Sequence, residues 1–177
     1  MKLWCVGFEN FVDIVHKNHW DECVPSNYAV ISINCGTGAG EEYSEYHACK
    51  DAYNVLNLNF DDVDPIVFGL SEDEETYTYE NKYAPGTYTT LEFFNDRMAK
   101  CAVKFIEDNL NRDKLNGVNF LIHCSAGVSR SQAFVKYIKN VYYEYEWETN
   151  PNNPCMHPNG FVFQKLMHAY RSRETNV

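Results

Sequence analysis

The stretch NFLIHCSAGVSRSQAFVKYI, residues 119–138, places a thiol, a glycine and a guanidinium in one short loop. A hydrophobic run ends at His123 and Cys124 follows. After five more residues come Arg130 and Ser131, where a helical pattern opens. A loop between a strand end and a helix start turns successive backbone N–H groups into one concave space. The helix N-terminus adds a positive partial charge there. Gly127 lets the chain bend where a side chain would obstruct it. Arg130 can offer a planar fork of donors to two oxygens of an anion. A thiol at the base of this cradle is favoured as its thiolate by oriented N–H groups and the nearby guanidinium. Such a nucleophile facing a tetrahedral oxyanion site suits phosphoryl transfer to cysteine.

The string His-Cys-x-x-Gly-x-x-Arg-Ser at 123–131 resembles the signature of the cysteine-dependent protein tyrosine phosphatase superfamily. HCSAGVSRS is most similar to the dual-specificity branch and to small tyrosine-phosphatase-like proteins of prokaryotes and their viruses. The resemblance implies roles residue by residue. Cys124 is the nucleophile and becomes a phosphocysteine. Arg130 binds phosphate and stabilises the transition state. Ser131 donates a hydrogen bond to the cysteine sulfur and eases its departure. His123 orients the loop and supports the thiolate. Ser125, Ala126, Gly127, Val128 and Ser129 bind substrate phosphate, mainly through backbone N–H groups. The resemblance implies no cofactor and no metal. The plainer reading of Cys124, an inert buried thiol at a strand end, leaves its flanking residues unexplained.

The same resemblance calls for an aspartic acid that protonates the leaving oxygen and then activates water. LNLNFDDVDP, residues 56–65, is the best segment, because a strand there runs out into a loop with Asp61, Asp62 and Asp64. Parallel strands put their carboxyl ends on one edge, where α/β sites form. A Phe-acidic-Asp step makes Asp62 the first choice, Asp61 the second and Asp64 the third. The distance from Asp62 to Cys124 is long for a compact family member, and an insertion at 71–90 accounts for the excess. Asp73 lies in that insertion, and Asp96 falls on the polar side of a helical stretch. MHPNGFVFQKLM near the C-terminus resembles a Pro-Asn-x-Gly-Phe-x-x-Gln pattern, one residue short. There Asn159 either supports the phosphate loop from behind or caps the following helix.

Four apolar runs read as strands: 3–8, 28–34, 55–60 and 118–123. They are short and rich in Val, Ile, Leu and Phe, as expected of strands buried on both faces. Helical spacing of apolar residues occurs over 10–18, 91–110, 129–145 and 160–170. The expectation is an α/β fold: a central, mostly parallel sheet of four to five strands flanked by helices, of the tyrosine phosphatase type. Residues 1–177 read as a single phosphatase domain. The segments 35–42, 71–90 and 149–158 read as loops. The second is acidic and Tyr-rich, and its acidic walls would favour basic peptide contexts if it acts as a lid.

Composition narrows the function further. The 177 residues carry 25 Asp plus Glu against 15 Lys plus Arg, for a net charge of −10. Such a chain is a poor binder of nucleic acid or anionic lipid. The seven scattered cysteines form no C-x-x-C pair, which points to reduced thiols in the cytoplasm. The opening MKLWCVGFENFVDIVHKNHW is neither a signal h-region nor a membrane span. Gly36, Gly38 and Gly40 do not match GxGxxG, and Glu41 and Glu42 would repel a pyrophosphate. Cys35 ends the second strand and could protect Cys124 as a disulfide partner. The expected substrate is a phosphorylated protein or peptide. Two rivals share the fold: a phosphoinositide or RNA 5′-phosphatase, disfavoured by an uncharged loop, and an inactive phosphoprotein-binding module, disfavoured by the presence of both Cys124 and Arg130. Rhodanese-like and arsenate-reducing enzymes lack the full string.

Overall fold

The computed structural model describes residues 1–35, 52–112, 117–150 and 157–174. In chain order the elements are β1 (Lys2–Gly7), α1 (Phe8–Asn18), β2 (Tyr28–Asn34), β3 (Val55–Asn59), a 3₁₀ turn (Pro65–Phe68), β4 (Thr76–Glu80), β5 (Tyr88–Glu92), α2 (Asp96–Arg112), β6 (Asn119–Cys124), α3 (Arg130–Val141), β7 (Glu148–Thr149) and α4 (Gly160–Glu174). Five strands make one sheet in the order β3-β2-β6-β1-β7, and every neighbouring pair in it is parallel. The expected α/β fold, a parallel sheet flanked by helices, is what the chain forms.

Strand periodicity decides which helix covers which face. Leu3, Cys5, Ile31, Ile33, Phe120, Ile122 and Cys124 point to one face, where α2, α3 and α4 pack. Val6, Val30 and Leu121 point to the other, against Phe11 and Val15 of α1 and Trp20 and Val24 beyond it. In α2 the residues Ala99, Ala102, Val103, Ile106 and Leu110 are buried, a one-sided stripe at helical spacing. Because the strands are parallel, their carboxyl ends share one edge. Gly7 lies beside Cys124 there, and Ser32 lies beside His123. That edge carries the candidate site.

Several boundaries differ from the sequence reading. The stretch 91–110 is not one helix: Leu91 belongs to β5, and α2 starts at Asp96. The stretch 71–90 is largely an antiparallel hairpin, with Tyr77 opposite Leu91 and Glu80 opposite Tyr88. Its alternating Thr-Tyr-Thr-Tyr has a strand period, hidden by acidic composition and exposure on both faces. Helix α3 stops at Val141, where the expected helix ran on to 145. The chain then turns so that the Trp147 indole donates to the Tyr142 carbonyl at 2.9 Å. The two-residue β7 follows and pairs with β1; two exposed polar residues give no strand signal. The glycines at 36, 38 and 40, together with His47, Cys49 and Cys155, lie outside the described residues. No helix among the described residues is long and apolar enough to cross a membrane.

Candidate active site

Cys124 is the last residue of β6, and Arg130 is the first of α3. The intervening loop is pressed onto the end of β1. Gly127 has φ +73°, and a Cβ there would meet the Gly7 nitrogen and the Val6 carbonyl carbon at 2.6 Å. Glycine is therefore required twice over, for its backbone conformation and for the close approach. The Phe8 N–H donates to the Ser125 carbonyl at 3.0 Å, which fixes the other end of the loop. Ser125 and Ala126 are exposed; Val128 and Ser129 are half-buried.

The Cys124 sulfur is buried, 3.1 Å from the Ser131 hydroxyl. Ser131 lies in the first turn of α3, where its side chain points back towards the strand end. The same hydroxyl oxygen accepts from the Cys5 thiol at 3.0 Å, and that thiol also reaches the Gly127 carbonyl at 3.2 Å. Burial pushes the Cys5 thiol up to about 12, partly opposed by its bond to Ser131. Cys5 thus stays protonated and acts as a donor. Sequence reasoning missed it. Its signal is the inward parity it shares with Leu3 on β1, a strand that lies beside β6.

Arg130 is only 4% exposed. Its Nη1 donates to the Asn34 carbonyl at 3.1 Å and to the Phe60 carbonyl at 2.6 Å, the ends of β2 and β3. Its Nη2 donates to the Ser125 hydroxyl at 2.8 Å. Two strand ends and the loop therefore set the guanidinium in place. Its Nε is buried and makes no hydrogen bond with the described residues. An unsatisfied buried donor costs about 1–3 kcal/mol, and an oxyanion is the acceptor that best relieves it. Cys35 lies at the same rim, its sulfur 3.4 Å from the Ser125 hydroxyl and 3.7 Å from Nη2. All five cysteines among the described residues are free thiols.

His123 points to the opposite face of the sheet from Cys124. Its Nε2 is 2.7 Å from the Ser32 hydroxyl, and its ring stacks on Phe11 at 3.8 Å between centroids. Asn34 extends the chain of contacts by donating to Ser32 at 3.4 Å. Ser32 and Asn34 were also not singled out in the sequence, because only the sheet order brings β2 next to β6.

The aspartates separate cleanly. Asp62 is exposed, and its Oδ1 accepts from the Ser129 hydroxyl at 2.8 Å and from Asn159 Nδ2 at 2.9 Å. The Asn159 N–H in turn donates to the Ser129 carbonyl at 3.2 Å. Asn159 thus touches the 124–130 loop, and its Oδ1 also caps α4 by accepting from the Val162 N–H at 3.0 Å. Asp61 is buried and turns towards β5. Asp64 caps the 3₁₀ turn by accepting from the Ile66 N–H. Asp96 and Asp73 face Lys165 on α4, at 2.8 and 3.9 Å. Of the five, Asp62 alone has a hydrogen bond to the 124–130 loop among the described residues.

One sheet edge thus gathers a sulfur, a fixed guanidinium and a carboxylate on the rim of the same loop. Among the described residues no group of three His, Cys, Asp or Glu side chains is arranged to hold a metal ion. No protein-family model matches the sequence, and no curated protein matches it. A solved structure does. It is that of the human tyrosine phosphatase-like serine/threonine/tyrosine-interacting protein, at 17% identity over 94% of this chain and 86% of that one, with a TM-score of 0.46.

Proposed function

We propose that this chain is a protein phosphatase that hydrolyses phosphotyrosine, and phosphoserine or phosphothreonine, through a phosphocysteine. The observation that carries the reading is the bond between Asp62 and Ser129. It sets a carboxyl group on the rim of the loop that begins at a buried thiol. In the first step the Cys124 thiolate attacks phosphorus, and the bond to the ester oxygen breaks. Asp62, as the acid, gives that oxygen its proton. In the second step the Asp62 carboxylate takes a proton from water as the water oxygen attacks phosphorus, and the sulfur leaves. Arg130 balances charge on the transferring phosphoryl group. The Ser131 hydroxyl supports the departing sulfur. A nucleophilic thiol works where thiols stay reduced, so the reading carries a cytoplasmic compartment with it.

The test is hydrolysis of para-nitrophenyl phosphate in chelator by wild type, Cys124→Ser and Asp62→Asn. We expect activity in the wild type and none in Cys124→Ser. Asp62→Asn should fall by ~10²–10⁴-fold and lose the basic limb of its pH profile. Activity that survives Cys124→Ser overturns the mechanism. A wild type that binds vanadate without turnover is a phosphate-binding module instead.

A further inference from the structure

Two grooves border the 124–130 loop, one at each end. The first, about 670 Å³, takes Asp62, Ser129 and Asn159 as one wall and Ile66, Val67 and Phe68 as another. The second, about 520 Å³, lies between Ser125 and Ala126 on one side and Glu9 and Asn10 on the other. We propose that together they seat the polypeptide of a phosphorylated protein substrate. An apolar residue next to the phosphorylated one packs on Ile66 and Val67, and a basic residue on the opposite flank faces Glu9. The proposal rests on the reading that the phosphate enters the loop.

The first groove is built, not frayed. Pro65 is buried, Asp64 caps the turn, and Gly69 closes it at φ +72°. Phe68 is held from behind by Tyr77 and Phe93, at 4.9 and 6.4 Å between centroids. The turn nevertheless holds Ile66 54% and Val67 78% exposed. Ile66, Val67 and Phe68 together form a small, fixed apolar surface that a bound chain can cover. What covers this one follows from its position. It shares Asp62 and Ser129 with the candidate site, so a chain whose phosphorylated residue enters the loop must lay a neighbour against it. An extended chain advances about 3.3 Å per residue, so one or two residues on each side reach both grooves.

Charge selects among such chains. Neither groove is lined by Lys or Arg among the described residues, while Asp62, Asp64 and Glu9 contribute carboxylates. The phosphate needs the loop, but acidic flanks would meet like charge on both sides. A segment of apolar and basic residues fits; an acidic one does not.

The experiment uses two phosphotyrosine peptides. One has Leu on one flank and Lys on the other; its counterpart has Asp and Glu at those places. Affinity is read by fluorescence polarisation on Cys124→Ser, and kcat/KM on the active chain is read as a ratio to para-nitrophenyl phosphate. The Leu/Lys peptide should bind on the order of tenfold more tightly. Val67→Ser should remove the part of that advantage due to Leu, and Glu9→Lys the part due to Lys. Both positions are exposed, so folding is not at stake. Equal affinities for the two peptides, or a preference that both substitutions leave intact, overturn the proposal. So does self-association through Val67 without peptide discrimination. Discrimination without any hydrolysis upholds the grooves and sinks the phosphatase reading. Hydrolysis without discrimination does the reverse.

Discussion

Asp61 and Glu92 are joined twice: the Asp61 N–H donates to the Glu92 carbonyl at 2.7 Å, and the Glu92 N–H donates to the Asp61 carboxylate at 2.8 Å. Glu92 ends β5, and the Phe93 N–H donates to the Glu75 carbonyl at the base of the hairpin. The hairpin is thus pinned to the residue just before Asp62. The Asp61 side chain is anchored inward on the Glu92 N–H, and at the next residue the exposed Asp62 carboxylate accepts from the Ser129 hydroxyl.

This pairing predicts that neighbouring aspartates respond differently to the same change. Asp61→Asn keeps an acceptor oxygen for the Glu92 N–H, so its pH–rate profile should keep the basic limb. Asp61→Ala leaves that N–H without its partner and should cost about 1–3 kcal/mol in urea unfolding. Asp62→Asn should leave stability within about 0.5 kcal/mol of wild type, as for an exposed site, and change the profile. A lost basic limb in Asp61→Asn would show that the acid had been assigned to the wrong neighbour.

The Ser32–His123 contact is fully buried, and no solvent replaces a lost partner there. Ser32→Ala should therefore cost about 1–3 kcal/mol. It should also alter the rate at which iodoacetamide modifies Cys124, because the imidazole next to the thiol in sequence loses its contact with the Ser32 hydroxyl. Ser32→Thr, which keeps the hydroxyl, should restore the alkylation rate even if crowding lowers stability. Alkylation that is equally fast in all three proteins would leave Ser32 a purely structural residue.

The strands nearest the site were legible because burial on both faces demands largely apolar runs such as those ending at Asn34 and His123. The 124–130 loop was legible because strand end, loop and helix start are contiguous in sequence. That Asp62 follows a strand end was legible too; that its carboxylate meets Ser129 is what the structure adds. The residues that hold the machinery from the side were not. Cys5 meets Ser131, and Ser32 meets His123, only because β1 and β2 flank β6. Period-two alternation fixes which face a side chain takes, not which strand lies alongside. The hairpin escaped for a different reason. Its Tyr and Thr residues pair across strands with little burial, so no apolar pattern marks it.

Asp96 opens α2 and meets Lys165 of α4 at 2.8 Å. The Lys165 ammonium, as hydrogen-bond donor and as charge, holds the Asp96 carboxyl below its usual value. A depressed folded value means that the contribution is complete above the unfolded carboxylate range and fades as pH falls through the folded one. The carboxylate is half exposed, so the pair is worth only about 0.2–1 kcal/mol. The stability gap between wild type and Asp96→Asn should be constant above about pH 5 and close below about pH 4. A gap that persists in acid would mean that shape, not charge, joins these helices.

Cys5 behaves in the opposite sense. Burial raises its thiol from 9.0 to about 12, so the unfolded chain releases this proton first. The folded state is then penalised as pH rises through 9 towards 12. Between pH 8 and pH 10 the loss from this group should be ~1 kcal/mol. Tyr137 and Tyr142 are also pushed up by burial, but they add the same loss to any Cys5 variant. The quantity to read is therefore the difference between wild type and Cys5→Ser in urea midpoints at the two pH values. Serine keeps a donor towards Ser131 and has no ionisation in this range, so the variant should lose less stability than wild type on going to pH 10. In native protein at pH 8, iodoacetamide should modify exposed Cys23 and Cys101 while Cys5 stays unmodified. Equal losses in the two proteins, or early labelling of Cys5, would mean that the thiol is not the buried, protonated donor on which the Ser131 hydroxyl rests.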